Sequence, residues 1–164
     1  MRRIRKFFGL VVAALVLGLF PAQAQRLYLN ATGTGAGLGF SFAGQTSFSM
    51  GLALGAGARE LAGPFGLEGS FGLEVQQGTA AFNLGFQGIF HFERYGTGIS
   101  PLAGLGFDVF FGGNQTTFAL RGLAGAEYFL NRQSSLVFTT EPSLSFADQT
   151  VFGVVMRAGL RIYP

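Results

Sequence analysis

The chain has no cysteine, no tryptophan and a single histidine, and only 12% of its residues are charged. The absence of cysteine rules out a disulfide framework and a thiolate metal site. It also leaves no residue for a lipid anchor after the leader. One histidine, His91, cannot make a multi-histidine metal centre. Beyond residue 6 no Lys and Arg cluster and no aromatic and basic residues interleave, so nothing there favours nucleic acid as a partner. An exported domain that lacks disulfides needs another source of stability, and a sheet closed on itself supplies one because every strand edge is paired.

What is present begins with a leader. Arg2, Arg3, Arg5 and Lys6 precede an apolar or glycine stretch from Phe7 to Phe20; Pro21 breaks it, and Ala22-Gln23-Ala24 is a small-x-small site. This is the pattern of a secretory signal, with cleavage expected between Ala24 and Gln25. The domain reading is therefore a signal peptide over 1–24 and one barrel domain over 25–164. The stretch is shorter than the roughly 20 apolar residues of a transmembrane helix. The leader also accounts for the net charge of +3, since the remaining chain holds seven arginines against eight acids, a net of −1. The apparent basicity belongs to targeting.

Eight runs with apolar residues at every second position follow, at Tyr28–Phe42, Thr46–Ala58, Phe65–Gln77, Thr79–Glu93, Gly98–Phe111, Thr116–Leu130, Ser134–Phe146 and Thr150–Tyr163. Each is as long as the roughly 9–11 residues that a tilted strand uses to cross a bilayer. Turn-forming residues separate them: Gly44-Gln45, Arg59 to Pro64, Gln77-Gly78, Tyr95-Gly96-Thr97, Gly112 to Asn114, Asn131 to Gln133 and Asp148-Gln149. The expected fold class is all-β, an eight-stranded antiparallel up-and-down transmembrane β-barrel. Leu27 and Leu29 fall out of phase with Leu38, Phe40 and Phe42, so the first run needs a bulge or a separate lead-in.

Alternation defines two surfaces. A soluble lipocalin-like barrel would place the apolar one inside. Here the opposite face is mostly Gly, Ser, Ala and Thr, far from the quarter to third of charged residues usual on a wet surface. Eight strands also leave a lumen too narrow for over twenty large apolar side chains. The apolar face is therefore expected outside, against lipid: Phe48, Leu52, Phe71, Phe86, Phe90, Phe107, Val109, Phe118, Phe138, Phe152 and Leu160. The small and polar face is expected inside. Its polar network comprises Glu68, Glu74, Gln87, His91, Glu93, Asp108, Arg121, Glu127, Glu141, Arg157 and Arg161, with Asn83 beside it. Enclosed charges must be paired or neutralised, so the arginines should grip carboxylates bidentately. Six acids against three arginines implies water in the lumen or protonated acids. Tyr28, Tyr95, Tyr128 and Tyr163 are candidates for an interfacial aromatic belt, together with Phe65, Phe92, Phe111 and Phe146.

The leader, the eight amphipathic strands, the short turns and the lack of cysteine resemble small bacterial outer-membrane barrels of the OmpA transmembrane-domain and OmpX type. The resemblance covers the whole chain after the leader and is architectural. It implies export through the inner membrane of a Gram-negative-type envelope and residence in the outer membrane. It also implies outer-membrane lipids as surroundings, with the barrel-assembly machinery and periplasmic chaperones as partners in biogenesis. Met156, Ala158, Leu160 and Ile162 keep the spacing of the family's C-terminal assembly signal, but Pro164 stands in the terminal position. Both chain ends would be periplasmic, and the outward turns are shorter than is usual in the family, which weakens an adhesin reading.

Chemistry is sparse. His91 and Glu93 share a face, but with no second histidine they read as a lumen hydrogen-bond pair. Some barrels of this size acylate or deacylate lipid A with a histidine, a serine and an acid; His91 is the only possible base, and its neighbour on the same face is Glu93. Gly33 to Gly37 and Gly51 to Gly57 lack the residues of a phosphate loop. The expected function is a structural envelope role with a lumen filled by side chains, and no cofactor, metal or catalysis. The alternatives are a lipid-modifying enzyme using His91 and a narrow pore.

Overall fold

In the computed structural model the described residues are 26–41, 46–76, 78–96, 98–112, 115–146 and 150–164. They form eight strands, β1 (Arg26–Ser41), β2 (Thr46–Ala62), β3 (Phe65–Gln76), β4 (Thr79–His91), β5 (Ile99–Gly112), β6 (Gln115–Phe129), β7 (Ser134–Phe146) and β8 (Thr150–Ile162). Each pairs antiparallel with its neighbour in sequence, and β1 closes on β8 to complete a barrel. The cleavage position at Ala24 and Gln25 lies outside the described residues, as do Gly44-Gln45 and Asp148-Gln149.

Alternation sorts the side chains as the period of a strand requires. Phe48, Leu52, Phe71, Phe86, Phe90, Phe107, Phe118, Phe138, Phe152 and Leu160 all project outward and are exposed; Val109 is half-buried. Phe86, Phe107, Phe118 and Phe146 make a slanting aromatic ladder over β4 to β7, with ring centroids 5.9 to 6.4 Å apart. Water would make this surface unstable, whereas acyl chains would not.

The phase conflict in the first run is settled by a bulge. Pairing of β1 with β2 and with β8 shifts register just after Thr34, so Leu27, Leu29 and Leu38 all face outward. A second irregularity corrects a boundary. The segment expected to be a turn from Arg59 to Pro64 is mostly strand, and only Gly63 and Pro64 form the turn. Three residues of β2, Arg59 to Leu61, oppose Gly66 alone between the pairs Ala58↔Leu67 and Ala62↔Phe65. Glu60 there has a φ of 59°, the one positive φ outside glycine among the described residues. Arg59, just before it, keeps the inward parity of Ala53 and Gly57 and is fully buried in the lumen.

The interior is not uniformly small and polar. Ile89, Leu102, Leu123 and Val137, on four consecutive strands, form an apolar patch inside the wall. Tyr28, Phe129 and Tyr163 pack together at the end where β1 begins and β8 finishes, with Tyr95 against them. We call this the terminal end and the other the distal end.

Candidate functional site: the charged lumen

The lumen network has two levels. Near the terminal end, Glu68 and Glu127 each accept four hydrogen bonds. Glu68 receives Tyr28 (2.8 Å) and Arg161 (3.0 Å) on Oε2, and Asn30 (3.2 Å) and Gln87 (2.8 Å) on Oε1. Glu127 receives Arg59 (2.7 Å) and Arg161 (3.2 Å) on Oε2, and Ser135 (2.5 Å) and Tyr163 (2.6 Å) on Oε1. Arg161 thus spans two carboxylates with its two terminal nitrogens, instead of forking onto one. Arg59 also donates to the Glu93 carbonyl oxygen (2.5 Å) and to Ser100 Oγ (3.0 Å). A carboxylate with every lone-pair direction occupied recovers much of what burial costs it.

The second level lies toward the middle of the barrel. Arg121 bridges Glu141 (3.0 Å) and Asp108 (3.4 Å), and Arg157 Nε lies 2.9 Å from Glu141. Thr139 donates to the remaining oxygen of Glu141 at 2.9 Å. Arginine planes also rest on rings, Arg161 over Tyr28 at 4.6 Å and Arg59 over Phe129 at 5.3 Å, a favourable use of a partly desolvated cation.

Several expected positions change. Glu93 lies beyond the end of β4 with an exposed side chain; it joins the network only through its backbone carbonyl. Its expected pairing with His91 is not formed: His91 is enclosed, and its Nδ1 lies 3.9 Å from Glu127. Glu74 is half-buried. Tyr28 and Tyr163 are buried lumen donors instead of belt residues, whereas Tyr128 is exposed. Arg59, Asn30, Ser100 and Ser135 are additional lumen residues. The parity of β1 and β8 carried the signal for Tyr28 and Tyr163, which stand two residues from Asn30 and Arg161. Arg59 carried it too, two residues after the inward Gly57, but the strand was expected to end at Ala58.

Tyr95 caps the terminal end. Its ring lies 4.8 Å from Tyr163 and 5.2 Å from Phe129, with Arg26 stacked 4.4 Å above it. Its amide donates to Glu60 at 3.1 Å and its hydroxyl donates to the Arg132 carbonyl. The arrangement packs four rings and a stacked arginine together at this end. Among the described residues, no three His, Asp or Glu side chains gather as a metal ion requires.

No family model and no curated protein matches the chain. Solved structures do share its fold. Neisserial surface protein A superposes with a TM-score of 0.71 at 16% identity, over 87% of this chain and 100% of that one. The N-terminal β-barrel domain of Pseudomonas aeruginosa OprF gives 0.54 at 15% identity, over 85% of this chain and 100% of that one. The chain therefore has the closed eight-stranded antiparallel fold seen in small outer-membrane barrels.

Proposed function

We propose that this chain is an integral outer-membrane protein with a structural role in the envelope, whose lumen is occupied by its own side chains and which neither conducts nor catalyses. The observation that carries the reading is the inversion of the usual soluble arrangement. A continuous hydrocarbon exterior of Phe, Leu and Met surrounds an interior of paired Arg and Glu. Lipid is the solvent that favours both faces at once. The fold shared with outer-membrane barrels supports the same compartment. Two bridged charge levels and the aromatic cap at the terminal end support a lumen without an open path. Biogenesis would then involve export across the inner membrane, periplasmic chaperones and the barrel-assembly machinery, with both chain ends periplasmic.

Fractionation tests this reading. The protein should partition with the outer membrane, require detergent for release, and migrate differently on gels before and after boiling. Recovery as a freely soluble protein would overturn it. In planar bilayers the purified barrel should give no discrete current steps; regular steps would establish a pore instead.

A further inference from the structure

Charge is shared unequally between the two ends of the barrel. Within the lumen, the four arginines and four carboxylates of the two levels balance. Of the other charged residues from 26 onward, Arg26, Glu60, Glu93, Arg94 and Arg132 belong to the terminal end, and Glu74 and Asp148 to the distal end. Every arginine outside the lumen therefore stands at the terminal end. The distal links between strands, 42–45, 77–78, 113–114 and 147–149, hold one charged residue by sequence, Asp148. Thr46, Thr79 and Thr150 open the strands that follow three of them. That rim offers amides and hydroxyls but no cation.

The terminal arginines stand where the hydrocarbon wall ends. Arg26 adjoins Leu27, Arg94 follows Phe92 by two residues, and Arg132 follows Leu130 by two. All three arginines and all three apolar side chains are exposed. Ile99 and Tyr128, a facing pair, continue the same apolar margin. Tyr95 gathers the cations in space. Its ring carries Arg26 at 4.4 Å, its hydroxyl donates to the Arg132 carbonyl, and Arg94 precedes it in the chain. Its amide donates to Glu60 at 3.1 Å, so one of the two acids at this end is already engaged. A guanidinium stacked by its face keeps its N–H edge for acceptors in its own plane, and phosphate oxygens match that edge.

We propose that the terminal rim, through Arg26, Arg94 and Arg132, is a docking surface for the phosphodiester headgroups of anionic phospholipids, and that the distal rim has no such preference. An acyl chain lies along the apolar margin while its phosphate meets the adjoining arginines, so the partner is a lipid and not a free anion. The proposal rests on the reading that the outer wall faces lipid.

The absence of tryptophan makes the test direct. Tyr128→Trp at the terminal rim and Phe111→Trp at the distal rim each supply one fluorescent reporter in barrels embedded in symmetric vesicles. Brominated phosphatidylglycerol and brominated phosphatidylcholine then compete to quench it. At position 128 the anionic lipid should be preferred about fivefold, the scale of one arginine near a charged surface. The preference should vanish at about 1 M salt, where the screening length is about 3 Å. Arg94→Gln combined with Arg132→Gln should bring it below about twofold. At position 111 the two lipids should quench equally. No preference at 128, an equal preference at 111, or indifference to both salt and the arginine replacements would overturn the proposal. Loss of the preference on adding inorganic phosphate at matched ionic strength would assign the arginines to a free anion and overturn the lipid partner. Quenching by the neutral lipid separates the two readings: its absence at both positions sinks the lipid-facing wall, whereas quenching at both without headgroup preference sinks only the rim. The salt titration keeps every arginine in place, so the outcome does not depend on the glutamine variants folding.

Discussion

Arg59 donates a 2.7 Å hydrogen bond to Glu127 across 68 positions of sequence, and both side chains are fully buried. The bulge in β2 and the inward face of β6 meet there, so the pair ties two walls of the barrel together. Arg161 joins the same Glu127 to Glu68.

Glu127→Ala leaves Arg59 without its carboxylate and strips partners from Ser135 and Tyr163. Breaking a buried pair by deleting one member costs about 3–5 kcal/mol. Urea unfolding in detergent or lipid should show that loss. Glu74→Gln, at a half-buried acid, should change stability by under about 0.5 kcal/mol. Equal effects at the two sites would contradict the network.

Phe107 projects outward near the middle of β5. Phe107→Arg should cost about 2–4 kcal/mol in a bilayer, whereas Phe107→Leu should cost less than about 1.5 kcal/mol. Reversible folding into lipid vesicles measures both. A tolerated arginine would mean that this face meets water.

Two glycines should respond in opposite senses. A Cβ at Gly106 would lie 2.5 Å from the Phe86 carbonyl oxygen and 2.7 Å from Gln87 Cβ, while at Gly33 the nearest atom is a flexible leucine methyl at 3.5 Å. Gly106→Val should destabilise by about 1–3 kcal/mol or more. Gly33→Ala should be neutral or gain about 0.5–1 kcal/mol, because strand glycines lose more backbone entropy on folding. Thermal unfolding followed by loss of β-sheet circular dichroism reads both.

His91 is enclosed in the lumen, 3.9 Å from Glu127 and out of reach of lipid on the outer wall. His91→Ala should leave the acylation of lipid A unchanged when mass spectra of cells expressing the two forms are compared. A lost or gained acyl chain that depends on His91 would establish the lipid-modifying alternative.

The periodicity made the wall legible: the eight strands and the outward set from Phe48 to Leu160 follow from a two-residue repeat. The lumen was legible only in part. Glu68, Gln87, Asp108, Arg121, Glu127, Glu141 and Arg161 follow parity into the interior, where they are buried. Glu93 carries the parity of His91, but β4 has ended before it. Arg59 looked like turn chemistry beside Glu60, Gly63 and Pro64, because a left-handed residue inside a strand leaves little trace in composition. Tyr28 and Tyr163 were assigned by the habits of phenols at interfaces, although their positions along the strand pointed inward. Ile89, Leu102, Leu123 and Val137 show that parity outranks hydrophobicity in deciding which way a side chain faces.

The pairing of β1 with β8 joins Leu29 to Ile162. A ring cannot be finished piecemeal: the first strand must keep one flank unsatisfied until the last one is delivered. Losing that last strand would not merely shorten the protein. It would leave two raw margins, on β1 and β7, each able to stitch onto another chain.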